Sequence, residues 1–128
     1  MDARAYFATT PWEALEKINE ALCHSAGYEP GPTPDGYEPA RALWEKSRTQ
    51  PLTFLQAADL CRECHRLAPF RFFNGNTFAS CARVALAPVW EKLPTVKQAF
   101  TRAALGHYIA GAIDRDELIA IVPPVLGE

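Results

Sequence analysis

Apolar side chains recur along the chain at intervals of three and four, and no stretch alternates apolar and polar residues for long. That period is the mark of helices that bury one face. Trp12, Leu15, Ile18 and Leu22 make the first stripe. Thr10-Pro11-Trp12-Glu13 precedes it with a hydroxyl to cap, a proline for the first helical position and a glutamate placed to close a capping box. Gly27 suits the stop, so the pattern predicts a helix over residues 11–25. Residues 28–39 hold four prolines and two glycines and read as a stiff, irregular connection. A short helix with Leu43 and Trp44 opens at Pro39. A third starts at Pro51, with Thr53 and Gln56 offering a competing start two residues later. It runs through Leu55, Leu60, Cys64 and Leu67 and stops before Pro69. Asn76 or Thr77 caps a fourth through Phe78, Cys81, Ala82, Ala85 and Leu86, with Pro88 kinking or restarting it. Thr95 and Gln98 form a capping box ahead of a long helix with Val96, Phe100, Ala104 and Tyr108 on one face. Residues 114–117 cap a last helix over 118–122, ended by Pro123 and Pro124. The expected fold is all-α: a single compact domain over residues 1–128, built of five to six helices.

Composition narrows the classes. A chain of 128 residues is one domain's worth, and 48% hydrophobic content with three Trp, four Tyr and seven Phe excludes a disordered tail. Thirteen basic residues against fifteen acidic ones give a net charge of −2, which argues against a nucleic-acid partner gripped through its phosphates. No apolar run is long enough for a membrane span. Residues 1–7 lack the apolar core of a secretory signal, so a cytoplasmic location is expected. Trp12, Trp44 and Trp90 are most economically core, and His107 reads as an interior or boundary histidine.

Cys61-Arg62-Glu63-Cys64-His65 fits the C-x-x-C-H pattern of c-type haem attachment. Met1 is the one methionine, so His24 or His107 would have to supply the other axial ligand. The same Cys61, Cys64 and His65 admit zinc, with Cys23 and His24 or Cys81 completing a tetrahedral set. The plainer reading needs no cofactor: Cys23, Cys61, Cys64 and Cys81 stay reduced as small hydrophobes between helices, with Cys61 or Cys64 facing the core.

Residues 69–76, Pro-Phe-Arg-Phe-Phe-Asn-Gly-Asn, are the most unusual stretch. Asn74-Gly75-Asn76 is turn chemistry and predicts a sharp bend that delivers unpaired N–H groups at the next helix start. Gly75, Asn76 and Thr77, with positive charge from Arg66 and Arg71, then suit a phosphate-bearing ligand or an acidic side chain. Arg62, Arg66, Arg71 and Arg83 either form such a clamp or lie on a solvated helix face with Glu63. Phe70, Phe72 and Phe73 either dock a protein partner or plug the core beneath the loop.

The stretch from Ala57-Ala58-Asp59-Leu60 through Leu67-Ala68-Pro69-Phe70, then Asn74-Gly75-Asn76 and a helix with Arg83, resembles the central region of Fic/Doc proteins. Their signature is His-Pro-Phe, two residues, Gly-Asn, and a basic residue two positions on. The resemblance implies that the loop and helix start bind the phosphates of a nucleotide and that a histidine deprotonates the target hydroxyl. Pro69, Phe70, Gly75 and Asn76 carry over, with the interval between Phe70 and Gly75 two residues longer. Ala68 stands in the place of the catalytic histidine, Phe78 in that of the basic residue and Asn74 in that of the acidic one. His65, one turn earlier, is the one nearby substitute base. The expected function is a non-catalytic binding module using the loop and the adjoining helix start. The alternatives are a Fic-like nucleotide-binding or AMP-transferring domain, and a zinc or haem protein.

Overall fold

In the computed structural model, which describes residues 4–123, the chain forms six α-helices. They are α1 (Trp12–Ala26), α2 (Tyr37–Ser47), α3 (Phe54–Leu67), α4 (Asn74–Trp90), α5 (Thr95–Ile109) and α6 (Arg115–Ile121). Pro124, the second proline expected to end the last helix, lies outside the described residues. The extended pairings among the described residues are two isolated bridges, Arg4 with Leu52 and Pro32 with Phe70. The fold is therefore all-α, as the periodicity requires.

α4 is the middle of the body, packing against α1, α3 and α5, while α2 rests on α3 and α6 on α5. Its sequence suits that place. Thr77, Phe78, Ala79, Cys81, Ala82, Leu86 and Trp90 are all buried, a set spread around the helix rather than confined to one stripe. Small residues let its neighbour come close: Ala57, Ala58, Cys61 and Cys64 of α3 have no exposed surface. Next to this small-residue seam lies an aromatic cluster. Trp12 stacks on Phe70 with ring centres 5.5 Å apart, Tyr37 meets Trp12 edge-on at 5.8 Å, and Phe7 lies 4.8 Å from Trp44. The three tryptophans are core, as expected.

The helix starts differ from expectation where a tertiary partner outbids a local one. α1 begins at Trp12 with Pro11 as its cap residue and no capping side chain of its own. Its first N–H instead donates to Glu45 Oε1 of α2 at 2.8 Å, while the Trp44 indole N–H takes the Thr10 carbonyl at 2.9 Å. The Thr10 N–H donates to the Phe7 carbonyl at 3.0 Å, so it is not left for Glu13 and the expected Thr10 box does not form. α2 begins at Tyr37, ahead of Pro39, with Gly36 at its cap. α3 takes the Thr53–Gln56 box, at 3.1 and 3.0 Å, because Leu52 is held extended by two hydrogen bonds with Arg4. At α5, Pro94 occupies the cap position and the Gln98 amide turns back to the Glu91 and Leu93 carbonyls at the end of α4. Pro88 does not restart α4, which runs from Asn74 to Trp90 with the proline in its last turn. α6 opens on the expected Asp114–Glu117 capping box but starts at Arg115, three residues before the predicted Leu118.

The Pro-rich connection is pinned to the loop between α3 and α4. Thr33 N–H donates to the Pro69 carbonyl at 2.9 Å, its hydroxyl to Ala68 O at 2.6 Å, and Arg71 N–H to Gly31 O at 3.0 Å. Gly36 permits this approach. A Cβ there would collide with the Leu67 carbonyl oxygen and come within 2.6 Å of the Ala68 oxygen.

Two outcomes follow. Gly36→Ala forces backbone against backbone and is expected to lower unfolding free energy by roughly 2–3 kcal/mol, read from the urea midpoint. The Glu45 carboxyl is held below its ordinary range by the Arg48 guanidinium and then by the Trp12 N–H. A depressed folded pKa stabilises above the unfolded value, and that stability is lost as pH falls through the folded one. Acid titration of Glu45→Gln is therefore expected to show a shallower loss of stability below the ordinary glutamate range than the parent chain.

Candidate functional site

The loop from Ala68 to Phe73 is folded inward and held by amides. Phe70 is buried between Trp12 and Phe78. The Asn74 side chain closes a reciprocal pair with that residue: its Oδ1 accepts from Phe70 N–H at 2.9 Å and its Nδ2 donates to Phe70 O at 2.8 Å. Asn19 of α1 is buried and donates from Nδ2 to Phe72 O at 2.7 Å and to Thr77 Oγ1 at 3.1 Å. One side chain thus ties α1, the loop and α4 together.

This arrangement corrects the expected turn. The left-handed residues are Ala68 (φ 50°), which ends α3, and Phe73 (φ 61°), which precedes α4. Asn74-Gly75-Asn76 is the first turn of α4, whose cap is Phe73, three residues before the predicted cap Asn76, because the Asn74 side chain bends the chain back onto Phe70. Gly75 has helical backbone, and a Cβ on it would meet His65 Cε1 and Ala110 at 3.5 and 3.7 Å, ordinary contact. Its use is openness beside the helix start, with no backbone strain to relieve.

The sequence-predicted residues separate into three groups. Gly75 and Asn76 line a groove of about 400 Å³ with Ser80, Arg83, Gly106 and His107. Thr77 is shut away: its N–H and hydroxyl both go to the Phe73 carbonyl, and its oxygen accepts from Asn19. Arg66 is paired with Glu63, and Arg71 lies over Gly31, so neither lines the groove. Of the three phenylalanines, Phe70 is core, whereas Phe72 is exposed and packs on the exposed Tyr28 at 4.7 Å, with Phe73 edge-on to the same ring.

The groove's electrostatics have one sign. No side chain caps α4, so the N–H groups of Asn74, Gly75 and Asn76 have no partner within the helix. The dipole adds partial positive charge at the same place. Arg83 is the one full charge among the described lining residues, and none of them is acidic. Its Nε is buried without a partner, and its guanidinium lies where a Gly106 side chain would otherwise be. His65 sits against Gly75 with Nδ1 buried and unpartnered. Burial first, and the Arg62 charge second, push its pKa down, so the ring is neutral near pH 7.

Arg62 serves structure. It bonds the Tyr108 and Ile113 carbonyls at 3.1 and 2.7 Å and stands over the Tyr108 ring, whose hydroxyl donates to Asp59. Arg115 completes the tie to Asp59 at 2.9 Å.

The C-x-x-C-H residues do not converge. Cys61 and Cys64 face the core, whereas His65 lies beside Gly75. Burial drives the Cys61 thiol well above its ordinary value and those of Cys64 and Cys81 up to about 12, so all three are thiols rather than thiolates at neutral pH. Among the described residues, no group of three or more His, Cys, Asp or Glu is placed to hold a metal ion.

Comparison with known proteins adds no relative. No family model matches the chain, and no curated protein and no solved structure matches it.

Asn19→Ala strips the donor from the Phe72 carbonyl and from the buried Thr77 Oγ1, and an unsatisfied buried group costs about 1–3 kcal/mol. The expected result is a destabilisation of that order. Hydrogen exchange at the main chain of 70–77 should accelerate by more than it does in α6.

Proposed function

We propose that the chain is a binding module, without proton-transfer chemistry of its own, that holds an anionic group at the start of α4. The observation that carries this is the uncapped first turn of α4 opening into a groove whose one full charge is Arg83, with no carboxylate among its described lining residues. Free N–H groups, a helix dipole and a guanidinium on one small cavity favour a phosphate or a carboxylate. The groove is larger than a bare anion needs, and Leu22, Ala79, Ala103 and Ala110 give it apolar walls. The ligand is then an organic anion with an apolar body.

A phosphate-bearing ligand has added support from the Fic/Doc resemblance, which puts nucleotide phosphates at this same helix start. Transfer chemistry has less support. Ala68 has no proton to accept or give, and the Nδ1 of His65 is buried. A protein partner at the Tyr28–Phe72 pair is a second reading, supported by two exposed aromatic rings packed at a tilt with centres 4.7 Å apart. Among the described residues no helix is long and apolar enough to cross a membrane. Buried free thiols fit a reducing, cytoplasmic setting.

Titration with inorganic phosphate and with a nucleoside monophosphate, followed by amide NMR, tests the reading. Shifts are expected at Gly75 and Asn76 with both, tighter with the nucleotide. Arg83→Gln should weaken binding about tenfold, the loss of one charge-assisted contact. Phe72→Ala should leave it unchanged. Binding that ignores Arg83 and moves with Phe72 would transfer the function to the aromatic pair.

A further inference from the structure

A second surface lies away from the groove. The stripe Val96, Phe100, Ala104 and Tyr108 is buried only in its C-terminal half; Val96 is 65% and Phe100 62% exposed. Among the described residues α6, seven residues long, rests on α5 and leaves the N-terminal half of the stripe uncovered. Between them runs a groove of about 480 Å³, walled by Val96, Phe100, Ala120 and Ile121 with Lys97 and Thr101 along it. Ile119 and Ile121 of α6 are exposed as well.

We propose that this groove docks an amphipathic helix of a partner protein, one that brings an apolar pair for Val96 and Phe100 and a carboxylate for Lys97. Three observations select that occupant. The surface is concave, which suits an inserted segment and not a flat bilayer. Val96 and Phe100 are one helical turn apart, roughly 6 Å along the axis, the spacing at which the i and i+4 side chains of a second helix interdigitate. The charge is complementary to an acid. Lys97 is the one charged side chain among the described lining residues, Arg102 follows on the same helix, and α5 holds no Asp or Glu from Thr95 to Ile109. An apolar pair with a carboxylate at its rim is the helix-in-groove mode of recognition.

The test is a displayed library of random 16-residue peptides, selected on the full chain and counter-screened on Phe100→Glu and Lys97→Glu. Both side chains are exposed, so both variants are expected to keep the parent's helical content and unfolding midpoint. Enriched peptides should share apolar residues at i and i+4 with a flanking Asp or Glu. Each variant should weaken them at least tenfold. No enrichment, or enrichment indifferent to both variants, overturns the proposal. Concentration-dependent dimerisation abolished by Phe100→Glu assigns the groove to a second copy instead. Flotation with phosphatidylserine vesicles that Lys97→Glu abolishes assigns it to a membrane.

Discussion

The fold turns on how the loop between α3 and α4 is drawn into the body. Phe70 supplies the apolar anchor, stacked on Trp12, and two asparagines supply the polar one. Buried main-chain groups in a loop are costly unless paired, and here Asn74 and Asn19 satisfy the Phe70 and Phe72 carbonyls. With those bonds in place α4 enters the centre of the molecule with its first turn turned outward. Its open end faces a groove, with the His65 ring against Gly75. The same bonds cost the chain two residues in left-handed geometry without glycine, Ala68 and Phe73, about 1–2 kcal/mol each. Strain of that kind persists only where surrounding contacts fix the backbone.

Much of the helical framework was legible because caps and periodicity are local. The Thr53–Gln56 and Asp114–Glu117 boxes form, and Gly27 ends α1 in the left-handed conformation. Boundaries moved where a distant partner was stronger. Glu45 caps α1 from α2, and Gln98 serves α4 rather than its own helix. Neither choice is visible to a window of neighbouring residues.

The candidate site was legible only in part. Gly75 and Asn76 stood out as a motif, and their place at an open helix start agrees with it. The charge beside them was misplaced. Arg66 and Arg71 are near in sequence, yet Arg66 pairs with Glu63 on α3 and Arg71 is drawn over Gly31 by the loop, while Arg83 lies two turns along α4 and returns to the groove. Two signals in the sequence point to the missing parts. Asn19 interrupts the apolar stripe of α1 beside Ile18, and a lone polar residue on a buried face needs partners. Gly106, inside α5, marks a spot where another group comes close, and that group is Arg83.

The clip between the Pro-rich segment and the loop has a kinetic side. Thr33 bonds a residue 35 positions on, and Asn19 bonds partners 53 and 58 positions away. Helical turns close within nanoseconds to microseconds, whereas contacts of such separation wait for the chain ends to be brought together. The loop's shape is therefore set by the same non-local contacts that bring α1, α2 and α4 together, not by its own turns. Whatever binds at the start of α4 meets a surface whose order is coupled to the docking of α1 and α2, and its affinity includes the free energy of completing the fold there.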